Sequence, residues 1–319
     1  EFLTFYSDCM NFSRDLINSP ANKLNPSTYY SKIKNNNLFK SFNFIDYTEK
    51  EINSNFPLTC AVGKSSSSKP KVIEITNRKL SKKDKPLVII GKGVTFDTGG
   101  VNIKPGNSMR NMKKDMGGSA IAISLFLLAN YFLKKTKIVL IAPIAENAIS
   151  SKSMRPGDVY SSVSGKSVEI AHTDAEGRLL LADAIEKASS YNPCMIIDFA
   201  TLTGAARVAL GEDLPAYFCN NETFAKKIEN LNKEKLRCWR LPLYSPYLFK
   251  IKSQVADLSN ASLDGMAGSI TAALFLQEFL KSPNIPWFHF DTFAWSQDSK
   301  GAALQGLDIM SDFLRKNFN

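Results

Sequence analysis

Residues 86–100 read PLVIIGKGVTFDTGG, an apolar run that leads into glycines and carries one lysine and one aspartate. The run begins with residues that are apolar on both faces, a pattern typical of a strand buried on both sides of a sheet. Glycine allows the tight bends and close backbone approaches that a site at the end of a strand requires. The stretch therefore predicts a central strand with Lys92 and Asp97 just beyond its end.

Further apolar runs of this kind alternate along the chain with helical patterns. We predict strands at 86–90, 137–143, 194–199 and 287–291, and helices at 118–133, 176–190 and 269–280. Such alternation is typical of a sheet covered by helices. The expected fold class is α/β, with a mixed, mostly parallel central sheet and helices on both faces.

The first forty residues have a different pattern. Residues 8–17 are helix-like, Ser19 and Pro20 break that helix, and Pro26 opens another. We predict that residues 1–40 form a connecting helical segment and that residues 41–319 form the main domain. Because the chain begins with Glu1, an upstream N-terminal domain is expected to be absent from it.

Composition favours a folded globular protein in a reducing compartment. Hydrophobic residues make up 44% and charged residues 22% of the 319 residues, which argues against disorder. The five cysteines are scattered and form no disulfide-like pattern. No secretory signal opens the chain, and the apolar run 118–133 is short for a membrane span. We therefore expect a cytoplasmic protein with no membrane partner.

The net charge of +10 leaves a second class of function open, because basic proteins bind nucleic acids. Much of this charge lies in the run 78–85, RKLSKKDK, which has no interleaved aromatic residues. Such a run is more typical of a solvated loop than of an anion-binding surface. A nucleic-acid-binding protein is thus the alternative interpretation.

The residues available for catalysis restrict the chemistry. His172 and His289 are the only histidines, which excludes an HExxH zinc site and leaves little room for a histidine-based triad. The absence of clustered cysteines also argues against a thiolate metal site. Any metal site in this chain must be built from carboxylates.

Acidic residues do gather where strands are predicted to end, in FDTGG, MKKDMGG and HTDAEGR. The carboxyl ends of strands are where open α/β sheets bind ligands. Four carboxylates in one cleft repel each other and require compensating positive charge, which two divalent cations would supply. Oxygen ligands suit zinc, manganese, magnesium or cobalt. Two such ions activate water for hydrolysis.

The segments GKGVTFDTGGVNIKP, MKKDMGGSA and HTDAEGRLLLADA resemble, in this order, the leucyl aminopeptidase family of two-metal exopeptidases. The likeness continues in NFSRDLINSPANKLNP, PIAENAISSKSMRPGD, DFATLTGA, CWRLPLYSPY and GSITAALFLQEF. It therefore spans about residues 11–310. The resemblance implies that residues 41–319 are a two-metal aminopeptidase catalytic domain.

The resemblance implies that five residues hold two divalent cations, most simply zinc or manganese, with magnesium or cobalt as alternatives. These residues are Lys92, Asp97, Asp115, Asp174 and Glu176. Asp97 and Glu176 would bridge the ions, Lys92 and Asp115 would complete one, and Asp174 the other. Because a lysine ligates only when neutral, we expect burial and the adjacent cations to lower the pKa of Lys92.

The resemblance also implies roles for two basic residues and for a substrate pocket. Lys104 would stabilise the oxyanion, and Arg178 would hold a bicarbonate that acts as the general base. The expected substrate-binding residues are Met112, His172, Thr201, Leu202, Gly204 and Phe293. His172 replaces the asparagine usual in the family, and Phe293 replaces a small residue. We expect the bulkier Phe293 to shift the preference for the first residue away from leucine, and His172 to change substrate binding or its pH dependence.

The expected function is metal-dependent hydrolysis of the N-terminal residue from peptides with a free amine, in a homohexamer as is common in the family. Two alternatives stay open: a catalytically inactive scaffold, and a nucleic-acid-binding protein with or without peptidase activity. Binding driven by phosphate contacts weakens steeply with salt, so a mobility shift measured across salt concentrations distinguishes the latter.

Overall fold

The computed structural model describes residues 1–297 and 301–318. Its α-helices are α1 (Phe2–Asn18), α2 (Pro26–Lys34), α3 (Glu49–Asn55), α4 (Pro57–Gly63), α5 (Gly117–Phe132), α6 (Gly177–Ser190), α7 (Gly204–Leu210), α8 (Glu222–Leu231), α9 (Gly268–Gln277) and α10 (Leu307–Asn317). Its strands are β1 (Asn43–Phe44), β2 (Lys71–Thr76), β3 (Leu87–Gly91), β4 (Gly93–Asp97), β5 (Ile138–Asn147), β6 (Val159–Ser161), β7 (Ser167–Glu169), β8 (Met195–Ala200), β9 (Ala216–Cys219), β10 (Trp239–Arg240), β11 (Leu258–Ser259), β12 (Trp287–Asp291), β13 (Trp295–Ser296) and β14 (Gly301–Ala302). Short 3₁₀ helices lie at Asn37–Phe39, Gly106–Met109, Met112–Met116 and Ser245–Ile251.

The central sheet, within the described residues, has nine strands in the order β1-β2-β5-β3-β8-β12-β9-β10, with β4 paired beside β5. Strands β5, β3, β8 and β12 run parallel to one another. Strand β2 is antiparallel to β5, and β9 is antiparallel to β12. The predicted mixed, mostly parallel α/β sheet is confirmed.

Strand β3 is buried on both faces by helices. Leu87 and Ile89 belong to a core cluster that contains residues of α1, α5 and α10. Val88 and Ile90 belong to a second cluster, on the opposite face, with residues of α4, α6 and α9. Alternate residues of a strand point to opposite faces, so a strand covered on both sides has to be apolar throughout. This is why the run PLVII decides the fold.

The predicted strands and helices are found with small shifts at their ends, except that β5 continues four residues past the predicted end at 143. Proline lacks the N–H that a central strand needs, which is why the pattern predicts a stop there. In the structure β3 pairs with β5 only as far as Ile141, and β4 takes over at Ile144. Pro143 lies at the step between these two partners, so the strand continues to Asn147.

The first helix packs into the core of the main domain. Cys9, Leu16 and Ile17 of α1 are fully buried, and Ser124 of α5 donates a hydrogen bond to Ser13 over 2.7 Å. Helix α1 begins at Phe2, earlier than the predicted residue 8, and the predicted break and the start of α2 at Pro26 are both found. The boundary at residue 41 stays a prediction.

The continuous helical stretch Met112–Phe132 is long and apolar enough to cross a membrane by length and composition alone, with a mean hydropathy of 1.3. In the fold, 83% of the most apolar 18-residue segment of this stretch is buried. Helix α5, which forms most of this stretch, packs on β3, β5 and β8 and contacts α1 and α10. It has the environment of a core helix.

Helix α4 depends on a carboxylate from another helix to satisfy its first turn. No side chain of its own caps α4. Instead, the fully buried Asp183 of α6 accepts hydrogen bonds from Leu58 N, Thr59 N and the Thr59 hydroxyl. This carboxylate therefore ties α4 to α6, the helix that follows the motif HTDAEGR.

We expect Asp183→Ala to lower the free energy of unfolding by about 3 kcal/mol, because it leaves buried donors without an acceptor. Asp183→Asn keeps one acceptor oxygen, and its loss should be smaller. Urea unfolding followed by circular dichroism measures both variants. An alanine variant with the stability of the asparagine variant would show that the acceptor contributes little.

Candidate metal centre and cleft

The ends of β4 and β5 bring a buried aspartate to the edge of the sheet. Asp97 is the last residue of β4, and its Oδ1 accepts hydrogen bonds of 2.8 Å from Gly99 N and from Asn147 Nδ2 at the end of β5. Gly99 has a φ of +88°, which glycine adopts without steric cost. This turn brings the chain back, so that Lys104 N donates to Thr98 O over 2.9 Å. Lys104 is thereby placed beside Asp97.

Three carboxylates converge at this edge. Oxygen atoms of Asp97, Asp174 and Glu176 all lie within 4.8 Å of one another. Asp97 and Glu176 are buried, and Asp174 is half-buried. Glu176 immediately precedes α6, and Asp174 lies in the loop before it. Carboxylates this close repel each other when ionised.

Lys92 supplies positive charge from the junction of β3 and β4. Its Nζ lies 2.8 Å from Asp115 Oδ2 and 2.9 Å from Glu176 Oε1, and it donates a hydrogen bond of 2.8 Å to Thr201 O. Burial acts to lower the pKa of Lys92, but the charges of Asp115 and Glu176 outweigh it and raise the pKa above its ordinary value. Burial alone therefore does not make Lys92 neutral. A lowered pKa requires the positive charge of bound cations.

Lys104 supplies positive charge from the opposite side of the cluster. Its Nζ lies 2.8 Å from Asp97 Oδ2 and 2.5 Å from Asp174 Oδ1. Burial again acts to lower the pKa of Lys104, and the Asp97 and Glu176 charges outweigh it and raise that pKa. Lys104 therefore stays charged at the mouth of the cluster.

The two lysines do not fully compensate the negative charge of the carboxylates. Burial raises the pKa of Asp174 to about 7, and the Asp97 charge adds to this effect. Burial also raises the pKa of Glu176 well above its ordinary value, again with Asp97 adding. From the described residues, Asp115 Oδ2, Asp174 Oδ1 and Glu176 Oε1 receive no well-directed hydrogen bond, although each is buried and faces an ammonium group. Buried, under-compensated oxygens of this kind fit divalent cations.

Arg178 places a third basic group beside the cluster. It lies in the first turn of α6 and is buried. Its Nη1 donates a hydrogen bond of 2.6 Å to Asn260 O, whereas its buried Nε has no partner among the described residues. Burial lowers the pKa of Arg178 to about 10, so the guanidinium is charged at neutral pH. A charged, partly unpaired guanidinium is suited to hold an anion.

A cleft of about 460 Å³ opens over these groups. The residues expected from the sequence that line it are Lys92, Asp97, Lys104, Met112, Asp115, Asp174, Glu176, Arg178, Thr201, Leu202, Gly204 and Phe293. His172 lies outside this lining. Its exposed ring accepts a hydrogen bond from Asp174 N at Nδ1 over 3.2 Å, so it contacts the backbone of the acidic loop.

Sequence reasoning missed four residues that shape the site. Asn147 supports Asp97 and is a polar residue at the end of a strand, which is a usable signal. Asn260 accepts hydrogen bonds from Ala171 N and His172 N, and the sequence around it carries no comparable signal. Lys114 and Arg207 also line the cleft. Both lie beside residues that the motifs single out, yet only the fold brings them together.

Comparison with known proteins agrees with these motifs. Residues 11–310 match the cytosol aminopeptidase family, catalytic domain. The chain is 38% identical over 295 residues to a probable cytosol aminopeptidase of Syntrophotalea carbinolica, covering 92% of this chain and 59% of that protein. It is 40% identical over 291 residues to the cytosol aminopeptidase of Encephalitozoon cuniculi, covering 89% of this chain and 59% of that protein. The chain thus spans little more than half the length of these relatives.

A solved structure shares the fold. The crystal structure of the cytosol aminopeptidase from Coxiella burnetii superposes with a TM-score of 0.90 at 40% identity, covering 99% of this chain and 70% of that chain. The family match extends over most of the chain and includes every segment that lines the cleft. The chain therefore belongs to the cytosol aminopeptidase family and contains its catalytic domain.

Proposed function

We propose that this chain is a metal-dependent aminopeptidase that releases the N-terminal residue from peptides with a free amine. The convergence of the Asp97, Asp174 and Glu176 oxygens within 4.8 Å, in an open cleft, carries the proposal. The names of the relatives in the same family support it. Carboxylates in this arrangement suit metal-assisted hydrolysis.

The residues that would hold the metal are Lys92, Asp97, Asp115, Asp174 and Glu176. Their donor set of oxygens and one nitrogen fits zinc or manganese, with magnesium and cobalt as alternatives. When bound, two divalent cations would lower the pKa of a water molecule and polarise the peptide carbonyl. The two lysines have distinct tasks, because Lys92 lies beneath the carboxylates and Lys104 lies at the cleft opening.

The chain's own groups then complete the chemistry. The ammonium group of Lys104 lies where negative charge develops on the carbonyl oxygen, and it stabilises the tetrahedral species. Arg178, through its unpaired Nε, would hold a bicarbonate anion that supplies a base. Asp115, fixed by the Thr201 hydroxyl over 2.8 Å, would receive the substrate's α-amine. A blocked amine cannot make this contact, so the enzyme should require a free N-terminus.

The segment from Thr201 to Gly204 would hold the substrate backbone. Leu202 N and Thr203 N both donate to the buried Asp291 over 3.1 Å. These N–H groups are therefore occupied, and the segment contributes acceptors to the substrate. Asp291 keeps the segment in place from beneath.

The test is hydrolysis of leucine and methionine 7-amido-4-methylcoumarins by the purified chain, after chelation and after addition of zinc, manganese or cobalt. We expect activity only with metal, and none on the N-acetylated substrates. Activity that survives complete chelation, or equal cleavage of acetylated substrates, would contradict the proposal. Silence with every metal, from protein shown to be folded, would also contradict it.

The proposal extends to a cytoplasmic location, in line with the names of the relatives, and to assembly as a homohexamer. Large apolar side chains are exposed along one part of the chain, at Phe249, Val255, Leu263 and Met266. We propose that subunit contacts cover these side chains, since contiguous exposed apolar patches mark interaction sites. Sedimentation equilibrium measures the assembly, and a monomer at micromolar concentration would contradict the hexamer.

Gly177, the first residue of α6, offers a test of Lys92 that leaves its side chain intact. A Cβ at this position would lie 2.5 Å from Lys92 Cε and 2.7 Å from Lys92 Nζ. Gly177→Ala must therefore displace the lysine, and we expect metal affinity to fall by about 10–100-fold, as when a metal ligand loses its support. Metal content after dialysis measures this. Gly204→Ala, where the added methyl meets open space, is the control and should retain metal.

A further inference from the structure

One wall of the cleft carries an aromatic ring with two cations close to it. The Nζ of Lys114 lies 4.3 Å from the centroid of the Phe293 ring, and the Cζ of Arg207 lies 5.0 Å from the same centroid. All three side chains line the cleft that holds the carboxylate cluster. The ring therefore fixes two positive groups at the same wall.

Lys114 is buried without a partner of opposite charge. It is 4% exposed, and no hydrogen bond or ion pair links its Nζ to another residue in the described part of the chain. Lys92 and Lys104 in the same cleft each contact two carboxylates within 3 Å. Burying an uncompensated ammonium group is costly. Contact with the face of a ring offsets only part of that cost.

Arg207 adds a second cation that is only weakly neutralised. It lies on α7, and its side chain is 46% exposed at the rim of the cleft. Within the described residues its ion-pair partner is Glu212, whose Oε1 lies 4.0 Å from Arg207 Nη1. The guanidinium therefore has donors available for another anion.

The acidic residues of the cleft compensate the positive charge of this wall only in part, through the Asp115 charge that acts on Lys114. Asp97, Asp115, Asp174 and Glu176 are already engaged by Lys92 and Lys104, and by the cations in the proposed function. Lys114 and Arg207 are thus available to bind an anionic group of a ligand. A pocket that binds an apolar first side chain would favour uncharged residues at positions 114 and 207.

We infer that this wall receives an acidic first side chain, so that the preferred substrates are peptides that begin with glutamate or aspartate. The inference rests on the proposed function, with the first residue placed beside Met112 and Phe293, two of the cleft residues that the family resemblance implies for substrate binding. Phe293 lies against both cations at this wall. A carboxylate carried by the substrate completes the charge pairing that the chain itself leaves open.

The experiment compares kcat/KM for the glutamate, glutamine and leucine 7-amido-4-methylcoumarins with the metal-loaded protein. Glutamate and glutamine have the same shape, so their ratio isolates charge. We expect the glutamate substrate to exceed the glutamine substrate by about tenfold or more. Lys114→Met should remove most of this ratio. Arg207→Glu, at an exposed position where folding is not at risk, should lower it and favour a lysine substrate.

Lys113→Met is the matched control, because Lys113 belongs to the same 3₁₀ helix but bonds to Asn18 O and lies over the Trp295 ring, outside the cleft. It should leave the ratio unchanged. Cleavage of the leucine substrate with no preference for glutamate over glutamine overturns this inference and leaves the aminopeptidase intact.

If no substrate is cleaved, the proposed function fails and calorimetry decides the inference separately. Free glutamate should then bind the metal-loaded protein more tightly than free glutamine, and Lys114→Met should abolish the difference. Equal binding of the two amino acids would overturn the inference.

Discussion

Asp97→Ala should abolish both metal retention and peptide hydrolysis. Asp97 is buried, one oxygen is held by Gly99 and Asn147, and the other faces Lys104. No other side chain in the described structure can take the place of this carboxylate at the end of β4. We expect kcat/KM to fall by about 10⁴-fold or more, as when a member of a catalytic unit is removed. Metal analysis after dialysis and amide hydrolysis measure the two effects.

Two companion variants make this result specific. Asp97→Asn keeps the shape and one acceptor oxygen but removes the charge, so it should fold and still lose metal. Asp308→Ala removes a half-exposed carboxylate of α10 that pairs with Arg237 over 3.5 Å, and it should retain metal and activity. Unchanged metal content in folded Asp97→Ala would exclude Asp97 from the metal centre.

Lys104→Met should lower activity without lowering metal content, in contrast to Asp97→Ala. Methionine has nearly the same length but no charge, so the site keeps its packing and loses the cation that faces Asp97 and Asp174. We expect kcat to fall by about 10²–10³-fold, the usual cost of removing a charge-stabilising donor. Metal affinity should hold or rise, because a competing positive charge has been removed from two of the ligands. KM should change little, since the interaction is made chiefly in the transition state.

Lys104→Arg is the matched control, because it restores the charge with a different shape and should recover part of kcat. Steady-state kinetics on metal-saturated protein, with metal content measured on the same samples, separates the two effects. If activity is lost only in proportion to metal, Lys104 acts by holding the site together and has no role in stabilising the oxyanion.

Several parts of this molecule follow from local sequence. The run 86–90 predicts a strand because β3 is covered on both faces, and α5 is recognisable because 118–133 is apolar around its whole circumference. The acidic residues that follow strands are predicted to meet because parallel strands end at one edge of the sheet. The comparisons confirm the family that these motifs resemble.

Other features depend on contacts between distant segments. The continuation of β5 past Pro143 depends on a change of partner strand, which no local pattern reveals. His172 was expected to touch substrate, but its position outside the cleft lining depends on how the loop before α6 packs against Asn260. The direction in which the pKa of Lys92 shifts depends on Asp115 and Glu176, which contact it from separate parts of the chain.

The sequence by itself determined the class of fold, the family and the set of acidic residues, because each is carried by short motifs and by burial patterns that repeat along one element. Only the tertiary structure decided which charges are paired. Lys92 and Lys104 are paired with carboxylates, whereas Lys114 and Arg207 both lie against the Phe293 ring. Electrostatic compensation depends on distance and burial in three dimensions, and the order of residues along the chain does not record either.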